Sequence, residues 1–230
     1  QMVNKKGACC AGQDIYDAKQ VADKFGFPHY ILNYESIFKE SVMEEFADSY
    51  LKGQTPIPCI RCNQSVKFRD MFKVAKDLGA DALVTGHYVR KKKDANNQLR
   101  LYKAIDENKD QSYFLFATTK NQLEYIDFPL GEFTKSETRK LAQKLGLNIS
   151  DKPDSQDICF VPNGNYANIV QKLRPGALDS GNIIHIKTGE VLGTHEGIIN
   201  YTIGQRKGLK LAWNEALYVI KLDPINKTVF

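Results

Sequence analysis

The chain has 230 residues, 42% hydrophobic and 26% charged, with 32 Lys and Arg against 27 Asp and Glu for a formal charge of +5. That balance is ordinary for a folded globular protein and excludes a largely disordered or low-complexity chain. No apolar run approaches the roughly 20 residues that a bilayer-crossing helix needs, and Gln1 to Lys6 carry no apolar signal core, so a cytoplasmic protein away from membranes is expected.

In chain order, Ile15, Ala18, Val21, Ala22 and Phe25 recur at helical spacing and predict a helix over 14–25, ended by Gly26. Residues 29–34 read as a short strand, and Phe38, Val42, Phe46 and Tyr50 mark one face of a second helix over 37–51. A loop with Pro56 and Pro58 leads into Cys59. From Gln64 the pattern is helical again through Met71, Val74, Ala75 and Leu78, and Gly79 terminates it. Residues 81–85 read as a buried strand ending at Gly86-His87. This alternation predicts a parallel α/β sheet. Ligands in such sheets sit beyond the carboxyl ends of the strands, which singles out Gly86 and His87; the plainer alternative is an ordinary strand-to-helix turn.

The cluster Arg90, Lys91, Lys92 and Lys93 reads as a solvated loop at the start of a polar stretch over 91–98. Leu99 to Lys103 alternate as a strand. Lys109-Asp110-Gln111 opens into the apolar run Phe114-Leu115-Phe116. Thr134-Lys135-Ser136-Glu137 is a capping box that starts a helix ending near Leu145 and Gly146. Beyond Cys159, glycines punctuate short strand-like runs such as 183–187, and this half reads as a small, mainly β domain.

There are five cysteines, an odd number that argues against a disulfide framework. Cys59-Ile60-Arg61-Cys62 is a CxxC pair behind two prolines, with a helix expected after it. Cys62 is thereby placed near a helix start, where the dipole and Arg61 favour a thiolate. Cys159 lies about a hundred positions later and can meet that pair only through the fold. Structural zinc, thioredoxin-like exchange, and sulfur handling or iron–sulfur ligation by all three thiols stay open on chemistry alone.

Taken together the motifs resemble the tRNA-specific 2-thiouridylase family of the MnmA type. The matching blocks are Cys9-Cys10 with Asp14, Asp17 and Ala18; Thr55-Pro56-Ile57-Pro58-Cys59-Ile60-Arg61-Cys62-Asn63; Lys67-Phe68; Thr85-Gly86-His87-Tyr88; and Lys109 to Leu115. Phe128-Pro129-Leu130-Gly131, Lys152 to Phe160 and Tyr201 to Gly208 follow in the family's order and cover nearly the whole chain.

The resemblance implies ATP-dependent, Mg2+-assisted adenylation of the C2 oxygen of a wobble uridine, followed by replacement of that oxygen with sulfur. It makes Cys159 the persulfide carrier and Cys62 the nucleophile, with a transient disulfide between them. It assigns Gly86 to ATP, His87, Lys109, Asp110 and Gln111 to tRNA, and Ile57, Pro58 and Cys59 to the target base. A sulfur-relay protein or cysteine desulfurase becomes the expected donor.

The implied fold is an adenine-nucleotide alpha-hydrolase-like (PP-loop ATPase) domain over 1–160, a small mainly β central domain over 161–213, and the start of a β-barrel over 214–230. Two departures stand out. The family's glycine- and serine-rich ATP loop does not precede Cys9, and the sequence stops at Phe230 as the barrel begins, so these 230 residues alone are expected to lack full activity. Some members carry an aspartate where Cys59 stands. A cysteine there leaves open a [4Fe-4S] cluster held by Cys59, Cys62 and Cys159. The rivals are another adenylating enzyme of the same group, and an RNA- or metal-binding module with a structural CxxC.

Overall fold

In the computed structural model, residues 12–152, 154, 158–161 and 164–230 are described. Cys9 and Cys10, and Pro153, Ser155, Gln156 and Asp157 of the Cys159 block, lie outside them. The chain divides between two units: Gln1–Glu35 with Cys59–Phe160, and Ser36–Pro58 with Val161–Phe230.

In the first unit, α1 (Gly12–Phe25) has Asp14 in its first turn and Lys24 in its last, which suits the helix dipole, and it buries Ala22. Gly26 follows at φ 74°, a left-handed stop that glycine adopts without strain. Residues 29–34 do not become a strand. Tyr30 and Ile31 are 69% and 67% exposed, and no described strand pairs with them. A short apolar run can be extended, but a strand exists only where a neighbour takes its N–H and C=O groups.

A longer helical run begins at Pro58, earlier than expected: α4 (Pro58–Arg61) passes through π-helical turns over Cys62–Asp70 into α5 (Met71–Asp77). Proline is at home in the first turn, where its missing N–H has no partner to lose. The predicted strand after it is β1 (Leu83–Val84), parallel to β4 (Ile126–Asp127) with Leu83 opposite Ile126.

The first three residues of the polar stretch 91–98 are strand. β2 (Val89–Lys93) pairs antiparallel with β3 (Leu99–Lys103), Val89 opposite Lys103. Asp94 builds the turn by accepting from the backbone N–H groups of Asn96 and Gln98, both at 2.9 Å. Three of the four β2 cations have partners: Lys91 meets Asp127, Lys92 meets Glu132 at 2.9 Å, and Arg90 donates to the Lys103 carbonyl at 2.7 Å. Opposite charges at these positions let a cationic stretch stay in a ladder.

The core of this unit packs Phe68, Val89, Leu115, Leu123, Ile126 and Phe128, with Leu83, Leu99 and Leu101 against them. Around it, α6 (Lys120–Tyr125) and α7 (Lys135–Lys144) each start with a two-way capping box, Thr119 with Gln122 and Thr134 with Glu137. Both α7 and β3 stand where the sequence places them.

In the second unit, α2 (Glu35–Phe38) leads through a π-helical turn into α3 (Glu44–Leu51), which buries Phe46, Ala47 and Tyr50. Tyr166 of α8 (Tyr166–Leu173) stacks on Tyr50 at 6.3 Å, and Arg174 donates to Asp48 at 2.7 Å. A four-stranded sheet follows in the order β6 (Val191–His195), β5 (Gly181–Ile184), β8 (Thr228–Val229), β7 (Leu222–Asp223). The mainly β reading holds, with the helix α8 added to it.

Candidate active site

The pairing of β1 with β4 continues one residue beyond the strand, where the Thr85 N–H donates to the Asp127 carbonyl at 3.0 Å. Past that point the chain turns through Gly86 and His87 and opens a cavity of about 440 Å³. Lys67, Met71, Leu83, Val84, Thr85, Gly86, His87 and Gln111 line it. A pocket at the carboxyl end of a parallel strand is where this architecture holds ligands.

Gly86 has no positive φ, and a Cβ built there would meet only a Leu130 methyl, at 3.8 Å. Neither backbone strain nor crowding demands glycine at this position. What its missing side chain provides is open space at the cavity wall.

His87 is half-buried, its ring edge-on to Phe68 and Phe128 at 6.1 and 6.3 Å, and its Nδ1 is 2.8 Å from the Thr85 hydroxyl. Burial, assisted by the nearby Lys67 charge, pushes its pKa from 6.5 down to about 4. At neutral pH it is therefore an uncharged hydrogen-bonding group.

The Lys109-Asp110-Gln111 segment is fixed by three kinds of bond. The Gln111 N–H donates to the Tyr88 carbonyl and the Tyr88 N–H donates back to the Gln111 side-chain oxygen, both at 2.9 Å. Asp110 accepts from the Ala104 N–H at 2.8 Å and the Ser112 hydroxyl at 2.6 Å. Burial alone would raise its pKa, but these bonds hold it below the ordinary value. Lys109 reaches Asp154 at 2.8 Å, and Lys135 takes the other carboxylate oxygen at 2.7 Å. Hydrogen bonds from those two lysines hold Asp154 at about 2.

Cys59 is exposed, and Cys62 and Cys159 are half-buried thiols. Because the helical run starts at Pro58, Cys59 occupies its first turn and Cys62 follows in the second. The dipole effect fades beyond the first turn, so the helix-start argument made for Cys62 attaches more strongly to Cys59. Asn63, 3% exposed, donates its side-chain amide to the Phe114 carbonyl at 3.1 Å and so ties the Cys62 turn to the segment after Gln111. Ile57 is half-buried and Pro58 buried, both at the end of the second unit's Ser36–Pro58 stretch.

Among the described residues no group of three or more His, Cys, Asp or Glu is placed to hold a metal ion. Cys59, Cys62 and Cys159 are not gathered into a ligand set, so the arrangement does not fit a three-cysteine cluster.

Comparison with known proteins decides the family. Residues 1–163 match the profile described as the tRNA methyl transferase HUP domain, and residues 167–230 match the tRNA methyl transferase PRC-barrel domain. The tRNA-specific 2-thiouridylase MnmA of Rickettsia bellii (strain OSU 85-389) is 66% identical over 226 residues, 98% of this chain and 61% of that protein. The namesakes from Rickettsia canadensis (strain McKiel) and Rickettsia massiliae (strain Mtu5) are 65% and 64% identical over 228 residues, 99% of the chain.

The chain belongs to the MnmA-type tRNA 2-thiouridylase family. It spans about three fifths of the length of these MnmA relatives. Its fold is that of the family, a PP-loop-like HUP domain of mixed α/β type with a parallel sheet, followed by a small PRC-barrel-like domain.

Of the residues the sequence singles out, Gly86, His87 and Gln111 line one cavity, while Lys109 turns to Asp154 and Asp110 to its own loop. Sequence reasoning missed Lys67, Asn63, Lys135 and Asp154 as contributors to the site. Lys67, Asn63 and Asp154 lie inside quoted motif blocks, so block membership was the available signal. Lys135 was visible only as the second residue of a capping box.

Proposed function

We propose that the protein carries out ATP-dependent 2-thiolation of the wobble uridine of tRNA, as a transferase. The observation that carries this reading is 63–66% identity, over 98–99% of the chain, to proteins named tRNA-specific 2-thiouridylases. A carbonyl oxygen is a poor leaving group, so the uridine O2 first attacks the α-phosphorus of Mg2+-bound ATP and pyrophosphate departs. The terminal sulfur of a Cys159 persulfide then adds to C2, and AMP leaves with the former O2. The Cys62 thiolate attacks the Cys159 sulfur, the S–S bond breaks, 2-thiouridine is released, and a Cys62–Cys159 disulfide remains for an external thiol to reduce.

In this scheme Gly86 lets the nucleotide approach the backbone at the cavity wall. His87 meets the tRNA as a neutral partner, and Lys109, Asp110 and Gln111 meet it from the segment beside the cavity. Ile57, Pro58 and Cys59 flank the target base. A sulfur-relay protein or cysteine desulfurase loads Cys159, and the reaction belongs in the cytoplasm. Among the described residues no helix is long and apolar enough to cross a membrane.

The assay supplies ATP, Mg2+, a persulfide donor and unmodified tRNA, and measures 2-thiouridine by mass spectrometry of digested nucleosides. It is run on these 230 residues and on a chimera that joins them to the unmatched parts of the Rickettsia bellii relative. Thiouridine from the chimera is the expected result. Folded chimera that yields none would overturn the reading.

A further inference from the structure

The segment that leads to Cys159 is pinned twice by charge. Lys152 reaches across to Asp14 and Asp17, one turn apart on α1, with the Asp17 contact at 2.6 Å. Two residues later Asp154 gives one carboxylate oxygen to Lys109 at 2.8 Å and the other to Lys135 at 2.7 Å.

The two lysines that meet Asp154 are joined by bonds that do not involve it. Asp106 caps the short helical turn ending at Lys109 by accepting from the Asn108 N–H at 3.1 Å, and it also accepts from the Lys135 N–H at 2.9 Å. Both lysines are therefore held on one frame. The Lys135 ammonium also lies 5.6 Å from the Tyr88 ring centre, and Tyr88 is joined to Gln111 by one backbone bond and one from its N–H to the Gln111 side-chain oxygen. An isolated exposed ion pair contributes little, but a carboxylate shared by two pre-placed lysines loses less entropy on forming and is harder to break. Asp154 and Cys159 are five positions apart, a reach of roughly 17 Å at full extension, so fixing the carboxylate limits how far the thiol can move.

We propose that Asp154 is a positioning residue for Cys159, holding the sulfur-carrying segment against the frame made by Lys109 and Lys135. This rests on the reading of Cys159 as the sulfur carrier, but its test needs no turnover. The 230-residue protein is treated with iodoacetamide, and alkylation of Cys159 is timed by peptide mass spectrometry with Cys62 as the internal reference.

Asp154→Asn is expected to raise the Cys159 rate roughly fivefold, Asp154→Glu to restore it, and the Lys109→Met/Lys135→Met double variant to raise it as Asp154→Asn does. Adding Asp154→Asn to the double variant should change nothing more. A simple field effect on the thiol predicts opposite directions for removing the anion and removing the cations, whereas release of a tether predicts the same direction for both. Opposite directions, an unchanged Cys159 rate, or a parallel rise at Cys62 would each overturn the proposal. Absence of thiolation activity would count against the function and leave these rates as they are.

Discussion

At Gly131 a Cβ would lie 1.9 Å from the Val89 carbonyl oxygen and 2.4 Å from its carbon, backbone atoms of the core hairpin that cannot step aside. Gly86 faces nothing closer than a methyl at 3.8 Å. The two glycines therefore predict different losses. Gly131→Ala should destabilise the fold by about 3 kcal/mol or more in urea unfolding, the upper range for overpacking. Gly86→Ala should leave the unfolding midpoint in place and weaken ATP binding several-fold by calorimetry.

His87 makes a third prediction at the residue scale. Its folded pKa, about 4, lies below the ordinary 6.5, so between those values the unfolded chain holds more protons and stability rises with pH. The contribution is fully present above 6.5 and is lost as pH falls toward 4. Comparing urea unfolding at pH 7 and pH 4.5, His87→Gln should narrow the stability difference by about 2 kcal/mol. An unchanged difference would mean that the ring is hydrated in the folded state. The sequence marked His87 through its place after a strand, but not the Phe68 and Phe128 rings that make it neutral, because those contacts join residues far apart in the chain.

At the scale of elements, local chemistry was readable wherever it was self-contained. The Thr134 to Glu137 box names its own partners, and the structure has both bonds, with the Glu137 carboxylate accepting from the Thr134 N–H at 2.7 Å. Thr134→Ala should cost about 1 kcal/mol in thermal or urea unfolding, as N-cap removals do. Elements that depend on distant partners were not readable. β2 looked like a charged loop because Asp127 and Glu132, which neutralise Lys91 and Lys92, come more than thirty residues later. Residues 29–34 looked like a strand because a short run around Tyr30, Ile31 and Leu32 says nothing about whether a neighbour exists. The helix carrying Cys62 starts at Pro58 because proline, read as part of a loop, also suits a first helical turn.

At the scale of the whole molecule, the ordered motif blocks revealed the family, and the profile matches over 1–163 and 167–230 agree with that reading. No sequence pattern announced that Ser36–Pro58 would pack with the later unit, since that grouping depends on contacts such as Tyr50 with Tyr166 and Asp48 with Arg174. Within the first unit, Lys152 and Asp154 are tied to α1, Lys109 and Lys135, elements on either side of the cavity strand in sequence.

The measurement that bears most directly on this account locates the sulfur itself. The chimera carrying Cys62→Ser is loaded by the persulfide donor, given ATP and unmodified tRNA, and digested for peptide and nucleoside mass spectrometry. The expected result is one extra sulfur on the Cys159 peptide before ATP and tRNA are added, then 2-thiouridine joined to that peptide through the S–S bond and none released, with Cys159→Ser neither loaded nor active. An extra sulfur on the Cys62 peptide of Cys159→Ser, together with 2-thiouridine in the tRNA, would contradict the division of labour between the two thiols.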